Sequence, residues 1–170
     1  MVLLGVISDT HDNLHAVDKA LEEFERRGVK TIIHAGDIIA PFTLRRILAR
    51  GFTFKGVFGN NDGEVMLLSR VAQEKGALLT HQPLLLEQGN LKILVMHGIT
   101  DPQGTKELAT RLATLSSIDV LIYGHTHEVD VRKIGKTLVI NPGEACGYLA
   151  GRRTIAVLDT EKLEVEIIEF

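Results

Sequence analysis

VLLGVISDTHDNLHAVDKALEEFERRG, residues 2–28, is the stretch on which the fold turns. An apolar, β-rich run at residues 2–7 gives way to acid and amide, and then Leu14, Val17, Leu21 and Phe24 recur at helical spacing up to Gly28. A strand followed by an amphipathic helix is a βα unit, and Gly28 suits the helix end because left-handed φ carries no steric penalty there. The unit repeats. Residues 31–35 form a second buried strand, Pro41 stands where a first helical turn tolerates it, and Leu44, Ile47 and Leu48 make a stripe that stops before Gly51. Residues 52–58 read as a third strand and residues 64–75 as a third helix, with Val65, Leu68, Val71 and Ala72 on one face and Gly76 behind it. Such repetition predicts parallel strands joined by crossover helices.

The second half of the chain changes character. Residues 84–87 and 91–96 read as a hairpin about the Gln88-Gly89-Asn90 turn, residues 105–115 as a helix and residues 120–123 as another buried strand. Residues 129–134, 137–140, 154–159 and 163–168 then read as a meander of strands. In the last, Leu163, Val165 and Ile167 alternate with Glu164 and Glu166, which fits an outer strand with one solvated face. Strands from both halves, with helices mainly from the first, predict an α/β fold of two packed mixed sheets flanked by helices. One domain spanning residues 1–170 is expected, since the length is ordinary for a single core and no linker, repeat or low-complexity stretch interrupts it.

Composition narrows the function classes. A formal charge of −3 with no dense Lys/Arg run argues against a nucleic-acid binder that relies on bulk electrostatics, so an anionic substrate must be attracted locally. The single Cys146 rules out an internal disulfide framework and a thiolate zinc site. The opening residues lack a basic n-region and run straight into acid, and no apolar stretch approaches the roughly 18 residues of a membrane span. A cytoplasmic protein with no membrane partner is expected.

Chemistry concentrates in seven residues: Asp9, His11, Asp37, Asn60, His97, His125 and His127. Each stands at or just after the end of a strand-like run, and in an open α/β sheet the carboxyl ends of strands are where loops converge on one spot. Carboxylate oxygen and imidazole nitrogen suit Mn, Fe, Co, Ni or Zn better than calcium, and a structural zinc site would ask for thiolates. Seven donors exceed what one tetrahedral ion accepts, and Asp37 has two oxygens with which to bridge a pair of ions. Two divalent transition-metal ions are therefore expected, manganese foremost, and set against the carboxylates Asp9 and Asp37 they leave the site net positive. Neutral Asn60 preserves that field. Gly36, Gly59, Gly98 and Gly124 flank these residues where backbone must approach a crowded cluster.

With SDTHDN at residues 8–13, HAGDI at 34–38, FGNND at 58–62, MHG at 96–98 and YGHTH at 123–127, the chain resembles the calcineurin-like metallophosphoesterases. NPGE at residues 141–144 matches a further element of that family, and five ordered blocks are far more specific than a lone motif. Length and compactness resemble its small bacterial and archaeal phosphodiesterase branch, which is close in fold to the retromer scaffold subunit of eukaryotes. The resemblance implies an αββα four-layer sandwich. It implies one metal on Asp9, His11, Asp37 and His127 and the other on Asp37, Asn60, His97 and His125. The implied reaction is in-line attack of a metal-bridging hydroxide on phosphorus, without a covalent intermediate.

One position departs from the pattern. Many members have a His after the Asn of the third block, thought to contact phosphate and protonate the leaving group, where this chain has Asn61. An amide can hydrogen-bond a phosphoryl oxygen but cannot act as a general acid. Asn61 is thus expected to contact phosphate, and Asp62 to orient a loop. A phosphodiesterase acting on a small phosphoester is the leading expectation. A phosphomonoesterase or nuclease with the same site, or a non-catalytic scaffold, are the alternatives; the absence of Trp and the two Tyr residues weaken the nuclease reading. An apolar edge is compatible with a homo-oligomer. His15 and His81 are expected to be structural or solvated, and His34 to be a hydrogen-bonded core residue.

Overall fold

Leu3–Ile7 (β1) and Leu14–Arg26 (α1) take the conformations that the opening stretch predicts, with Asn13 capping the helix by accepting the Ala16 N–H at 3.2 Å. The βα unit recurs as Thr31–His34 (β2) with Pro41–Ala49 (α2), and as Thr53–Val57 (β3) with Val65–Glu74 (α3). The computed structural model describes residues 2–99, 101–115 and 117–170. Three further strands follow α3: Leu78–Thr80 (β4), Leu84–Gln88 (β5) and Leu91–Val95 (β6). Then come Pro102–Leu112 (α4), Val120–Ile122 (β7), Val129–Ile134 (β8), Thr137–Pro142 (β9), Thr154–Asp159 (β10) and Glu164–Glu169 (β11).

These strands form a six-stranded sheet in the order β11-β10-β1-β2-β3-β4 and a five-stranded sheet in the order β5-β6-β7-β9-β8. Both are mixed. In the first, β1 to β4 run parallel and β10 joins β1 antiparallel; in the second, β6, β7 and β9 run parallel between the antiparallel edges β5 and β8.

Side-chain alternation explains the layering. Leu4, Val6, Ile33 and Val57 point from the first sheet onto Ile93, Val95, Val120, Ile122 and Ile140 of the second, and this cluster is the contact between sheets. Ile7 and Ile32 point the other way, onto Val17, Leu21 and Phe24 of α1 and Leu44 and Ile47 of α2. On the far side Ala109 of α4 covers Leu121, Tyr123 and Val139. The helix–sheet–sheet–helix order is the sandwich that the sequence predicts. A Cβ on Gly5 would stand 2.8 Å from the Phe24 ring, so α1 lies as close on β1 as it does because that residue has none.

The structure corrects three details. The four late strands are not one meander: β8 and β9 complete the second sheet, whereas β10 and β11 return to the first, where Val6 pairs with Ala156. Strand periodicity says which face is apolar but not which sheet receives it. Helix α4 starts at Pro102, earlier than position 105, because Asp101 caps it by accepting the Gly104 N–H at 2.8 Å with Pro in the first turn. Strand β4 was not expected; its three residues are half-exposed at an edge and too short to show a period. Among the described residues no helix is long and apolar enough to cross a membrane.

Candidate metal centre

The carboxyl ends of β1, β2, β3, β6 and β7 emerge at one edge of the sandwich, and their loops bring the seven candidate ligands together. His11 Nε2 lies 3.4 Å from Asp37 Oδ2 and 4.0 Å from Asp9 Oδ1, and His127 Nε2 lies 3.4 Å from the same Asp9 oxygen. Beyond Asp37, His97 Nε2 is 3.4 Å from Asp37 Oδ1 and 2.9 Å from Asn60 Oδ1. The His125 ring stands edge-on to that of His97 with centroids 5.1 Å apart, and its backbone N–H donates to Asp9 Oδ2 at 3.1 Å. Asp37 therefore presents one oxygen to each half of the cluster.

Holding so many side chains on one spot strains the backbone. Asp9, His11, Asp37, His125 and His127 all adopt left-handed φ, at 52°, 42°, 59°, 68° and 59°. For residues with a Cβ this costs on the order of 1–3 kcal/mol each and persists only where the surroundings enforce it. Hydrogen bonds between loops do so here: Asp9 N to Gly36 O at 3.0 Å, His11 N to Asp37 O at 3.1 Å, Gly124 N to His97 O at 3.0 Å and Cys146 N to Asp9 O at 3.1 Å. The glycines give the room. A Cβ on Gly36 would enter the His97 ring, and one on Gly124 would come within 2.6 Å of the Ala35 carbonyl oxygen.

Three observations test whether these residues suit a metal. Asp9 Oδ1 and His11 Nε2 are buried without a hydrogen-bond partner, and both face the centre. His97 Nδ1 lies 2.8 Å from the Ala35 carbonyl oxygen, which can only accept, so that nitrogen carries the proton and Nε2 keeps a lone pair. The lone pair faces Asn60 Oδ1 and Asp37 Oδ1, which are acceptors too. Burial pushes the His97 pKa down, favouring this neutral form. Acceptors converging with no proton between them repel one another, and a cation in their midst reverses the sign. The residues fit a divalent ion.

The two carboxylates differ because their surroundings differ. Burial pushes Asp9 up to about 7, against the pull of His127 and of the Ser8 hydroxyl, which donates to Oδ2 at 2.5 Å. Burial is also the largest influence on Asp37 and pushes it up, but His97, two hydrogen bonds from Asn61 and His11 together hold it below the ordinary range. Those bonds run from Asn61 N to Oδ1 at 2.9 Å and from Asn61 Nδ2 to Oδ2 at 2.7 Å. The Asn61 amide thus rests on Asp37. Asp62 orients its loop, as expected: it accepts from Gly59 N at 2.6 Å, Ile39 N at 2.5 Å and Asp37 N at 3.2 Å.

Sequence reasoning missed Glu144, although the NPGE block contains it. Its side chain is fully buried, Oε2 accepts from His127 Nδ1 at 2.6 Å, and both oxygens gather the N–H groups of the following loop. An acid in a short block beside a glycine, with no role in the core, was the available signal. The other histidines behave as expected. His15 and His81 are exposed. His34 is fully buried, with Nδ1 accepting from Gly36 N at 3.2 Å and Nε2 donating to Thr10 Oγ1 at 3.1 Å.

His34 gives the fold a measurable acid sensitivity. Burial pushes its pKa from 6.5 down to about 3, so between those values the unfolded chain holds a proton that the folded chain refuses. The contribution is complete above 6.5 and is lost as pH falls towards 3, with a slope of up to ~1.4 kcal/mol per pH unit. His34→Gln keeps an acceptor and a donor but does not titrate. Urea unfolding from pH 7 to 4 should find the stability difference between wild type and variant shifting steadily in the variant's favour; a difference independent of pH would dismiss the assignment.

The protein is thus an αββα sandwich with an oxygen- and nitrogen-donor cluster at its loop edge. The chain belongs to the calcineurin-like phosphoesterase superfamily, whose domain model matches residues 2–163. A phosphodiesterase of Methanocaldococcus jannaschii is 38% identical over 162 residues, covering 95% of each chain. A solved archaeal phosphodiesterase superposes with a TM-score of 0.88 at 37% identity, covering 99% of this chain and all of the other. Vps29 of Chaetomium thermophilum shares the fold, with a TM-score of 0.70 at 18% identity over 100% of this chain and 96% of that one.

Proposed function

We propose that the chain is a metal-dependent phosphodiesterase that hydrolyses small phosphodiesters, with two divalent ions bridged by Asp37. Asp9, His11, Asp37 and His127 would hold one ion, and Asp37, Asn60, His97 and His125 the other. The observation that carries this reading is the position of Asp37, which offers one oxygen to each half of a cluster containing two buried, unpartnered donors. The phosphodiesterase relatives named above support the substrate class. Ions bound there would supply Lewis acidity towards phosphoryl oxygens and a hydroxide nucleophile at neutral pH, and the mixed imidazole and carboxylate donors suit Mn, Fe, Co, Ni or Zn, of which manganese is the one we propose.

The chain's own residues do the rest. His97 and His127 are held with Nε2 towards the centre by bonds from their Nδ1 atoms to Ala35 O and Glu144. Asp37 stays ionised at neutral pH, so a negative charge is fixed between the two sites. Asp9, raised to about 7, must give up a proton before it can ligate. Asn61 is able to turn its amide to a phosphoryl oxygen but has no proton to give a leaving group. Esters with acidic leaving groups are therefore preferred.

Protein stripped with a chelator and resupplied with Mn²⁺ should hydrolyse bis-p-nitrophenyl phosphate only after the metal returns, and should hydrolyse a dialkyl phosphate far more slowly. Full turnover without metal would refute the binuclear reading, and equal chemical-step rates on the two esters would refute the role given to Asn61.

A further inference from the structure

Resting on the phosphodiesterase reading, we propose that Tyr148 forms an aromatic subsite beside the metal centre that receives a planar group carried by the phosphodiester. The chain has two tyrosines. Tyr123 is buried under α4 and donates to Asp130 at 2.6 Å, so it belongs to the core. Tyr148 is the opposite case: 63% of it is exposed, and its ring centroid lies 6.5 Å from the His11 imidazole at an interplanar angle of 49°. His11 in turn stacks on His127 with centroids 5.4 Å apart. The exposed ring therefore continues a line of rings that leads from the cluster out to its rim.

The backbone of the loop that carries this ring is tethered. Glu144 Oε1 accepts from Leu149 N at 2.9 Å and Ala150 N at 2.5 Å. Gly147 turns at φ 72°, and a Cβ there would press on the Arg153 stem at 2.8 Å. A backbone held in advance loses little entropy when a ligand stacks on the ring that it carries. What sets Tyr148 apart from other exposed side chains is its place beside His11, where it offers a face or edge to an aromatic ester group, and offset or tilted ring pairs at such spacings attract. An aryl group and a nucleobase both offer this chemistry, and the substrate arms below separate them.

The test keeps p-nitrophenolate as the leaving group and varies only the retained ester. With Mn²⁺-loaded protein, methyl, phenyl and thymidine 5′- p-nitrophenyl phosphates are compared in wild type, Tyr148→Ala and Tyr148→Phe. Tyr148→Ala should lower kcat/KM for the phenyl or the thymidine ester about tenfold, through KM, while leaving the methyl ester unchanged. Tyr148→Phe should restore the loss. Calorimetry with phenylphosphonate and methylphosphonate gives a readout apart from turnover, in which the variant should weaken only the phenyl compound. Equal effects of Tyr148→Ala on all three esters, or no effect, would overturn the subsite and leave the phosphodiesterase reading intact. Turnover of none of them by the wild-type protein would overturn both.

Discussion

Replacing Asp37 with Ala should lower Mn²⁺-dependent hydrolysis of bis-p-nitrophenyl phosphate by about a hundred- to a thousandfold, the scale of loss when one preorganised group that stabilises transition-state charge is removed. The side chain is 1% exposed and no neighbour duplicates it. Oδ2 faces His11 Nε2 and Oδ1 faces His97 Nε2, each at 3.4 Å, so deletion separates the two halves of the cluster at once. It also leaves the Asn61 amide without the oxygen it now holds at 2.7 Å. Asp37→Asn keeps the shape but offers a single oxygen and no charge, and should be nearly as inactive. Metal analysis after gel filtration gives an independent reading, because the variant should retain at most one ion where the wild type retains two. Circular dichroism should be unchanged, since Asp37 lies outside the apolar clusters that join the layers. Activity within tenfold of wild type would remove the bridging role.

The convergence of the seven candidate ligands was legible in the sequence for a physical reason. Metal-type donors must leave the strands at their carboxyl ends, so the residue types mark their own positions, as Asp9, Asp37, Asn60, His97 and His125 do. The repeated βα units were equally plain, because helical stripes such as Leu14, Val17 and Leu21 differ from strand periods over ten residues or more. Sheet membership was not. Residues 137–140 and 154–159 are alike in composition, yet the first run inserts beside β7 and the second beside β1, a choice made by packing against partners far away in sequence. The left-handed backbone at the cluster was barely legible: Asp and His tolerate φ above zero better than most residues, but that preference alone does not single out Asp9, His11 and Asp12. Only the neighbouring glycines hinted at crowding.

The surroundings of Asn61 and Glu144 were less legible than the clustering of the seven, since both depend on what an atom faces. Asn61 was assigned to phosphate, and the structure rests its amide on the carboxylate of Asp37. The two positions are not exclusive, because an ion taking the Asp37 oxygens would release the amide to a new acceptor. This makes Asn61 a measure of occupancy: its side-chain amide resonance should move on metal addition if the exchange occurs.

Glu144→Gln should weaken Mn²⁺ binding by about 10- to 100-fold, the range for a carboxylate that orients a metal-ligating histidine. The substitution changes almost no volume, so its effect isolates charge and hydrogen-bond direction. Every group around Glu144 is a donor: His127 Nδ1 at 2.6 Å, the Cys146 thiol at 3.2 Å, Leu149 N at 2.9 Å and Ala150 N at 2.5 Å. Burial is the strongest influence on this carboxyl and pushes it up, but His127 and those donors outweigh it and hold it below the usual range, so it is ionised at neutral pH. A glutamine must turn its NH₂ towards one of these donors. If it turns to His127, the ring loses the acceptor that keeps Nδ1 protonated, and Nε2 is no longer reserved as a lone pair aimed at the Asp9 side of the cluster. If it turns to the loop, Leu149 and Ala150 lose their anchor, and a buried unpaired donor costs about 1–3 kcal/mol. Turnover at saturating Mn²⁺ should then recover most of the wild-type kcat, because the seven candidate ligands themselves are unchanged. Titration of both proteins with Mn²⁺, followed by activity and by calorimetry, distinguishes the cases: matching affinities would mean that His127 needs no partner, and a kcat that stays low at saturation would give Glu144 a part in the chemistry itself.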